Sequence, residues 1–165
     1  MLSSNAFGRR VRWLLPVFIV ATVITAACGG GGDNGPTQPA QSDTTLTASL
    51  DGGTSFTAAT AAITSAAGRL LIIGSNGPNE SMGLGFELRT GTQSSGTGGT
   101  ATASYVRIGQ GSWAAGPNLA ASNGTITLTT ASANRVVGTF SFGLVSISGT
   151  PATRQLTSGR IDIKY

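Results

Sequence analysis

From Thr44 onward, apolar residues recur at every second position in short runs separated by Gly, Ser, Asn and Asp. "TLTASL" sets Leu46, Ala48 and Leu50 on one face, and "DGGT" (Asp51–Thr54) reads as a hairpin turn into "SFTAATAAIT", anchored by Phe56. "SMGLGFELRT" alternates Met82, Leu84, Phe86 and Leu88 with Gly83, Gly85, Glu87 and Arg89. The same period recurs in "GTITLTT" (Ile126, Leu128), in "RVVGTFSFGLVSI" (Val136, Phe140, Phe142, Leu144) and in "GRIDIKY" (Ile161, Ile163, Tyr165). Alternation is the mark of strands with one buried face. "RLLIIGS" (Arg69–Ser75) is a short continuous apolar run and predicts a central strand.

Eight or nine such strands with turn signals between them predict an all-β fold, an antiparallel β-sandwich or barrel-like domain over residues 44–165. "GTQSSGTGGTAT" (Gly91–Thr102) holds no large apolar residue and reads as a loop, and the piece around Trp113 reads as irregular. "AATAAITSAA" (Ala58–Ala67) is the one window where a short helix competes.

The first 28 residues follow a different pattern. A cationic stretch holding Arg9, Arg10 and Arg12 precedes the apolar run Trp13–Ala27, and small residues lead to Cys28, the only cysteine. These are the parts of an export signal. The run is 15 residues long and contains Pro16, whereas a membrane span needs about 20 apolar residues. Twin-arginine export fits less well, because Arg12 stands where that signal has an apolar residue. "GGGGDNGPTQPAQSD" (Gly29–Asp43) has nothing large and apolar to bury and predicts a disordered tether. A chain of that length spans roughly 20 Å. No Gly-Lys-Ser/Thr follows the glycines, so they make no phosphate loop.

"TAAC" (Thr25–Cys28) resembles a bacterial lipobox, with Thr25 standing where Leu or Val is commonest. The resemblance implies cleavage between Ala27 and Cys28 and lipid modification of the Cys28 thiol. Residues 1–27 are then the signal peptide and 28–43 the lipidated cysteine with its tether. Two or more acyl chains anchor stably where one holds marginally. Gly29 in place of Asp implies the outer membrane rather than the inner one. The expected partner is therefore the membrane itself, with an envelope protein or a glycan as the further one.

Removing the signal changes the charge picture. The whole chain carries a formal net charge of +4. From Cys28 onward seven basic residues face six acidic ones, scattered singly with no cationic stripe, which argues against a nucleic-acid partner. Charged residues are 10% of the chain and there are 25 glycines, against averages near 25% and about 7%. The surface is therefore built from Thr and Ser.

The same inventory limits the chemistry. With no histidine, histidine-dependent triads and His-ligated zinc have no residues to use. Lipidation consumes the single thiol, and no cofactor is implied. A carboxylate-based hydrolase would draw on Asp51, Glu80, Glu87 and Asp162, which read more simply as solvated turn and strand-face charges. Calcium at Asp51 or along Asn76–Glu80 lacks a ligand spacing. A glycan- or small-ligand-binding surface would need exposed aromatics, for which Trp113 and Tyr105 are the candidates. The competing reading makes Trp113 a loop plug over the end of the sandwich. The expectation is a non-enzymatic envelope lipoprotein domain.

"DGGTSFTA", "NGTITLTTASANRVVGTFSF" and "TSGRIDIKY" together resemble small β-rich lipoprotein domains of environmental bacteria whose function is uncharacterised. In that group a hairpin of the form N-G-x-x-W-x-A opens the domain, and Phe56 here takes the place of its Trp. The resemblance spans most of residues 46–165 and implies a fold, with no functional residues to carry over.

Overall fold

The computed structural model describes residues 44–165. The signal segment, Cys28 and the tether lie outside the described residues. Eleven strands follow one another in the domain: β1 (Thr45–Leu50), β2 (Thr54–Thr57), β3 (Thr60–Ala66), β4 (Arg69–Ser75), β5 (Glu80–Glu87), β6 (Gly91–Ser94), β7 (Thr102–Arg107), β8 (Gly111–Ala115), β9 (Asn123–Ala131), β10 (Arg135–Gly149) and β11 (Thr153–Lys164). The described residues include no helix.

The strands form one antiparallel sheet in the order β2-β1-β11-β10-β8-β7-β5-β4-β3. β10 is 15 residues long and serves two neighbours on one edge. Its first part pairs with β9, as in Phe140 with Ile126, and its last part pairs with β8, as in Val145 with Ala114. β6 extends the branch by pairing with β9. The sheet curls into a barrel-like shell because its two terminal strands, β2 and β3, are consecutive in the chain. Ala58 donates its N–H to Leu46 of β1 at 2.9 Å, and Ala59 donates to Ser75 of β4 at 2.8 Å.

Alternate residues fill the inside of this shell. Leu46, Phe56, Leu70, Ile72, Met82, Leu84, Phe86, Ile126, Phe142, Leu144 and Ile161 are all at most 1% exposed. Burial of one such side chain contributes roughly 1.5–3 kcal/mol, so the inward stripes carry the fold. Four hairpin turns, those joining β1–β2, β4–β5, β7–β8 and β10–β11, gather at one end. Asn79 accepts from Ile108 there at 2.9 Å, and Gly111 pairs with Gly149. β1 starts at the other end, where Thr45 pairs with Asp162.

The all-β antiparallel expectation holds, and several elements need correction. Within Ala58–Ala67, Thr60–Ala66 form strand β3 and no helix, because pairing with β4 decides for residues whose own preference is weak. Gly91–Ser94 is a strand although it reads as loop. Its inward residue is Gln93, 2% exposed, whose side-chain amide acts like a peptide unit. Gln93 Oε1 accepts from Glu87 N–H at 2.8 Å and Nε2 donates to Glu87 C=O at 2.8 Å. Trp113 lies in the regular strand β8. β4 is next to the terminal strand and has one wet face, with Leu71 and Ile73 45% and 44% exposed.

Candidate functional site

The turn end gathers polar and aromatic side chains from several strands and turns. β7 and β8 place Tyr105 directly across from Trp113. Their ring centroids are 5.9 Å apart, and both residues are buried, at 1% and 0% exposure. Trp113 Nε1–H donates to the carbonyl of Pro151 in the β10–β11 turn at 2.7 Å, which satisfies the indole where water does not reach.

Arg154, the second residue of β11, closes the group from above. Its guanidinium lies 4.4 Å from the Trp113 ring centroid and 5.9 Å from that of Tyr105. Nη1 donates to Asp51 Oδ2 at 2.7 Å, and Nη2 reaches Gln110 Oε1 at 3.4 Å. Asp51 Oδ1 accepts the Gln155 N–H at 2.8 Å, so the β1–β2 turn is tied to β11 through one carboxylate. Arg154 Nε is buried with no hydrogen-bond partner among the described residues. The aromatic faces beneath the guanidinium supply the compensating attraction.

Tyr105 donates its hydroxyl to Glu80 Oε1, while Glu80 Oε2 accepts from Asn76 Nδ2 at 3.0 Å. Burial, then the hydrogen bond and negative charge of Glu80, push the Tyr105 hydroxyl up to about 12. At neutral pH it is a proton donor and not a base. The cluster joins four turns with charge-assisted bonds and closes the end of the shell.

The residues singled out in the sequence fall as follows. Trp113 and Tyr105 come together but are core residues, so neither offers a ring face to a sugar in solvent. Trp113 is buried in a strand rather than a loop, and Arg154 covers its ring. Of the four carboxylates, Asp51 and Glu80 reach the same end of the domain, each engaged as described. Glu87 and Asp162 pair with surface cations instead, Glu87 with Arg89 at 2.6 Å and Asp162 with Arg135 at 3.0 Å. Such exposed pairs contribute about 1 kcal/mol or less. Among the described residues, no group of three or more His, Cys, Asp and Glu side chains is placed to hold a metal. Ala27 and Cys28 lie outside the described residues. Arg154 is what the sequence reading missed. A cation opening a strand beside a Pro-containing turn gives no signal of its own, and only the register sets it over the rings.

Fold and end cluster together define a small, single-sheet, barrel-like β domain with an arginine-capped end. Residues 42–161 match the DUF6252 family, a domain of unknown function, and the chain belongs to that family. No curated protein and no solved structure matches the chain significantly.

Proposed function

We propose that this chain is a lipid-anchored protein of the bacterial cell envelope, held at the outer membrane through Cys28, with a non-enzymatic binding or structural β domain. The observation that carries the reading is the run from Arg9 to Cys28: cations, a short apolar segment and "TAAC". Cations stay cytoplasmic while the apolar run enters the export machinery. The lipid on Cys28 then retains the mature protein.

The fifteen residues Gly29–Asp43 give the domain reach above the headgroups.

The test is Cys28→Ala in a bacterial host supplied with labelled palmitate. The wild type takes up label and enters the detergent phase. The variant stays unlabelled and keeps the mass of the uncleaved precursor. A variant that is labelled and processed like the wild type overturns the proposal.

A further inference from the structure

The outer face of β9, β10 and β11 holds a concave trough of about 330 Å³, lined by Thr125, Thr127, Thr139, Ser141, Ser158 and Arg160 over a floor of Phe140 and Gly159. That volume falls at the small end of ligand pockets, about 300–1,000 Å³. Two features of β11 form it. β11 bulges where Phe140 opposite Gly159 gives way to Phe142 opposite Leu156, and Ser158 within that bulge has φ 52°. The bulge bends the strand and sinks the sheet surface beside it.

The lining is unusually uniform in chemistry. The register aligns one row across six strands, Thr92, Thr127, Thr139, Arg160, Thr47 and Thr57, of which Thr127, Thr139 and Arg160 line the trough itself. Neighbouring strands stand about 4.8 Å apart; Thr92 and Thr127 share a hydroxyl–hydroxyl bond at 2.9 Å, Ser141 donates to the Leu156 carbonyl at 3.1 Å, and a hydroxyl can both donate and accept. Thr methyl groups lie between the hydroxyls. A second row sets Ser94 beside Thr125 and Ser141.

One charge enters this field. Arg160 has no hydrogen bond or ion pair to any described residue. Its counterparts on β10 and at the turn end are engaged, Arg135 by Asp162 and Arg154 by Asp51. Asp162, one row beyond Arg160, has both carboxylate oxygens bonded by Arg135, at 3.1 and 3.0 Å. Its charge is thereby offset.

We infer that this trough is a binding site for an acidic saccharide, a polyol chain bearing a carboxylate. Ring hydroxyls exchange hydrogen bonds with the threonine rows, and sugar C–H faces rest on the Thr methyls. The planar Arg160 fork takes the carboxylate in a bidentate pair, a geometry a lysine does not reproduce. A guanidinium alone would take any anion, and the hydroxyl rows alone would take any polyol. Their combination selects a ligand that is both. The inference adds a ligand to the binding-domain reading above and rests on the domain part of it.

The test is calorimetric titration of the full chain, solubilised in detergent, with trigalacturonate, with neutral galactotriose and with inorganic phosphate. Trigalacturonate binds the wild type, and galactotriose binds at least about tenfold more weakly. Arg160→Gln weakens trigalacturonate by about tenfold, and so does Thr127→Val with Thr139→Val. Arg89→Gln, which removes a surface cation from a different loop, binds like the wild type. Circular dichroism confirms that each variant folds. Absence of wild-type binding at about 10 mM, or equal binding of the neutral sugar, overturns the proposal. Unchanged affinity in Arg160→Gln also overturns it, as does displacement of the uronate by equimolar phosphate. Cys28→Ala binds trigalacturonate normally, so failure of the anchor and failure of the site are separate results.

Discussion

Tyr105 is held between two opposite demands: its ring belongs to the core and its hydroxyl must find an acceptor. Glu80 supplies the acceptor, and burial with Glu80 together disfavours the phenolate. Folding therefore raises the pKa of this neutral acid from about 10 to about 12. The sign follows from linkage. The contribution is complete below pH about 10, where both folded and unfolded chains hold the proton, and is lost as pH rises through about 12. The chain has only one other tyrosine, Tyr165, whose pKa burial also raises. An alkaline phenolate-absorbance titration of wild type against Tyr105→Phe isolates the Tyr105 step. It is expected near pH 12, and a step near pH 10 contradicts the buried placement. At neutral pH the wild type gains nothing from this group by further acidification.

The turns set the strands in register, and their backbone sometimes exceeds what their sequence suits. In the β3–β4 hairpin Ala66 pairs with Arg69, leaving the two-residue loop Ala67–Gly68 with φ of 49° and 73°. Such a turn favours Asn-Gly, because Asn tolerates the left-handed region that Ala resists. Ala67→Asn is expected to stabilise the domain by about 0.5–1 kcal/mol, read as a higher denaturant midpoint at unchanged slope. A lower midpoint would rule out this turn geometry. The same elements explain what was legible beforehand. β1 and β9 alternate in sequence as they do in burial, because each has one face in the shell and one in solvent; β5 alternates in sequence, but its glycines Gly83 and Gly85 are buried too, under Ser104 and Thr102. β6 was not legible, since its single inward side chain is the polar Gln93. β4 misled because Leu71 and Ile73 are apolar on the wet face. At the sites, Tyr105 and Trp113 were visible as rare aromatics, but their burial depends on β7–β8 pairing and on Arg154, 41 residues beyond Trp113 in the chain. The hydroxyl trough was invisible for a related reason: its threonines come from different strands, and only the register aligns them.

At the scale of the molecule, the sheet order places the chain's fourth strand against its first through the β2–β3 junction. The sheet ends at β2 and β3, which pair only with β1 and β4, and open edges attract other strands. The short junction between them is bonded to both flanks, Ala58 to Leu46 of β1 and Ala59 to Ser75 of β4, and the inside at this seam has little room. A Cβ built on Gly74 of β4 would stand 2.7 Å from Leu46 Cδ2 of β1 and 2.8 Å from Ala58 Cβ. Strand propensity alone says that replacing a strand glycine by valine stabilises, since glycine loses most entropy on ordering and valine suits the pleat. Closure says the opposite, because the added methyls must displace Leu46 or part the seam. We expect closure to win: Gly74→Val loses about 1–3 kcal/mol, the range for overpacking. Gly53, in the β1–β2 turn, has nothing within 4 Å of its Cβ position. Gly53→Ala should stay within about 0.5 kcal/mol of the wild type. Urea unfolding of the two variants reads the difference directly. A Gly74→Val domain as stable as the wild type would mean that Leu46 and Ala58 do not pack against β4 at the seam.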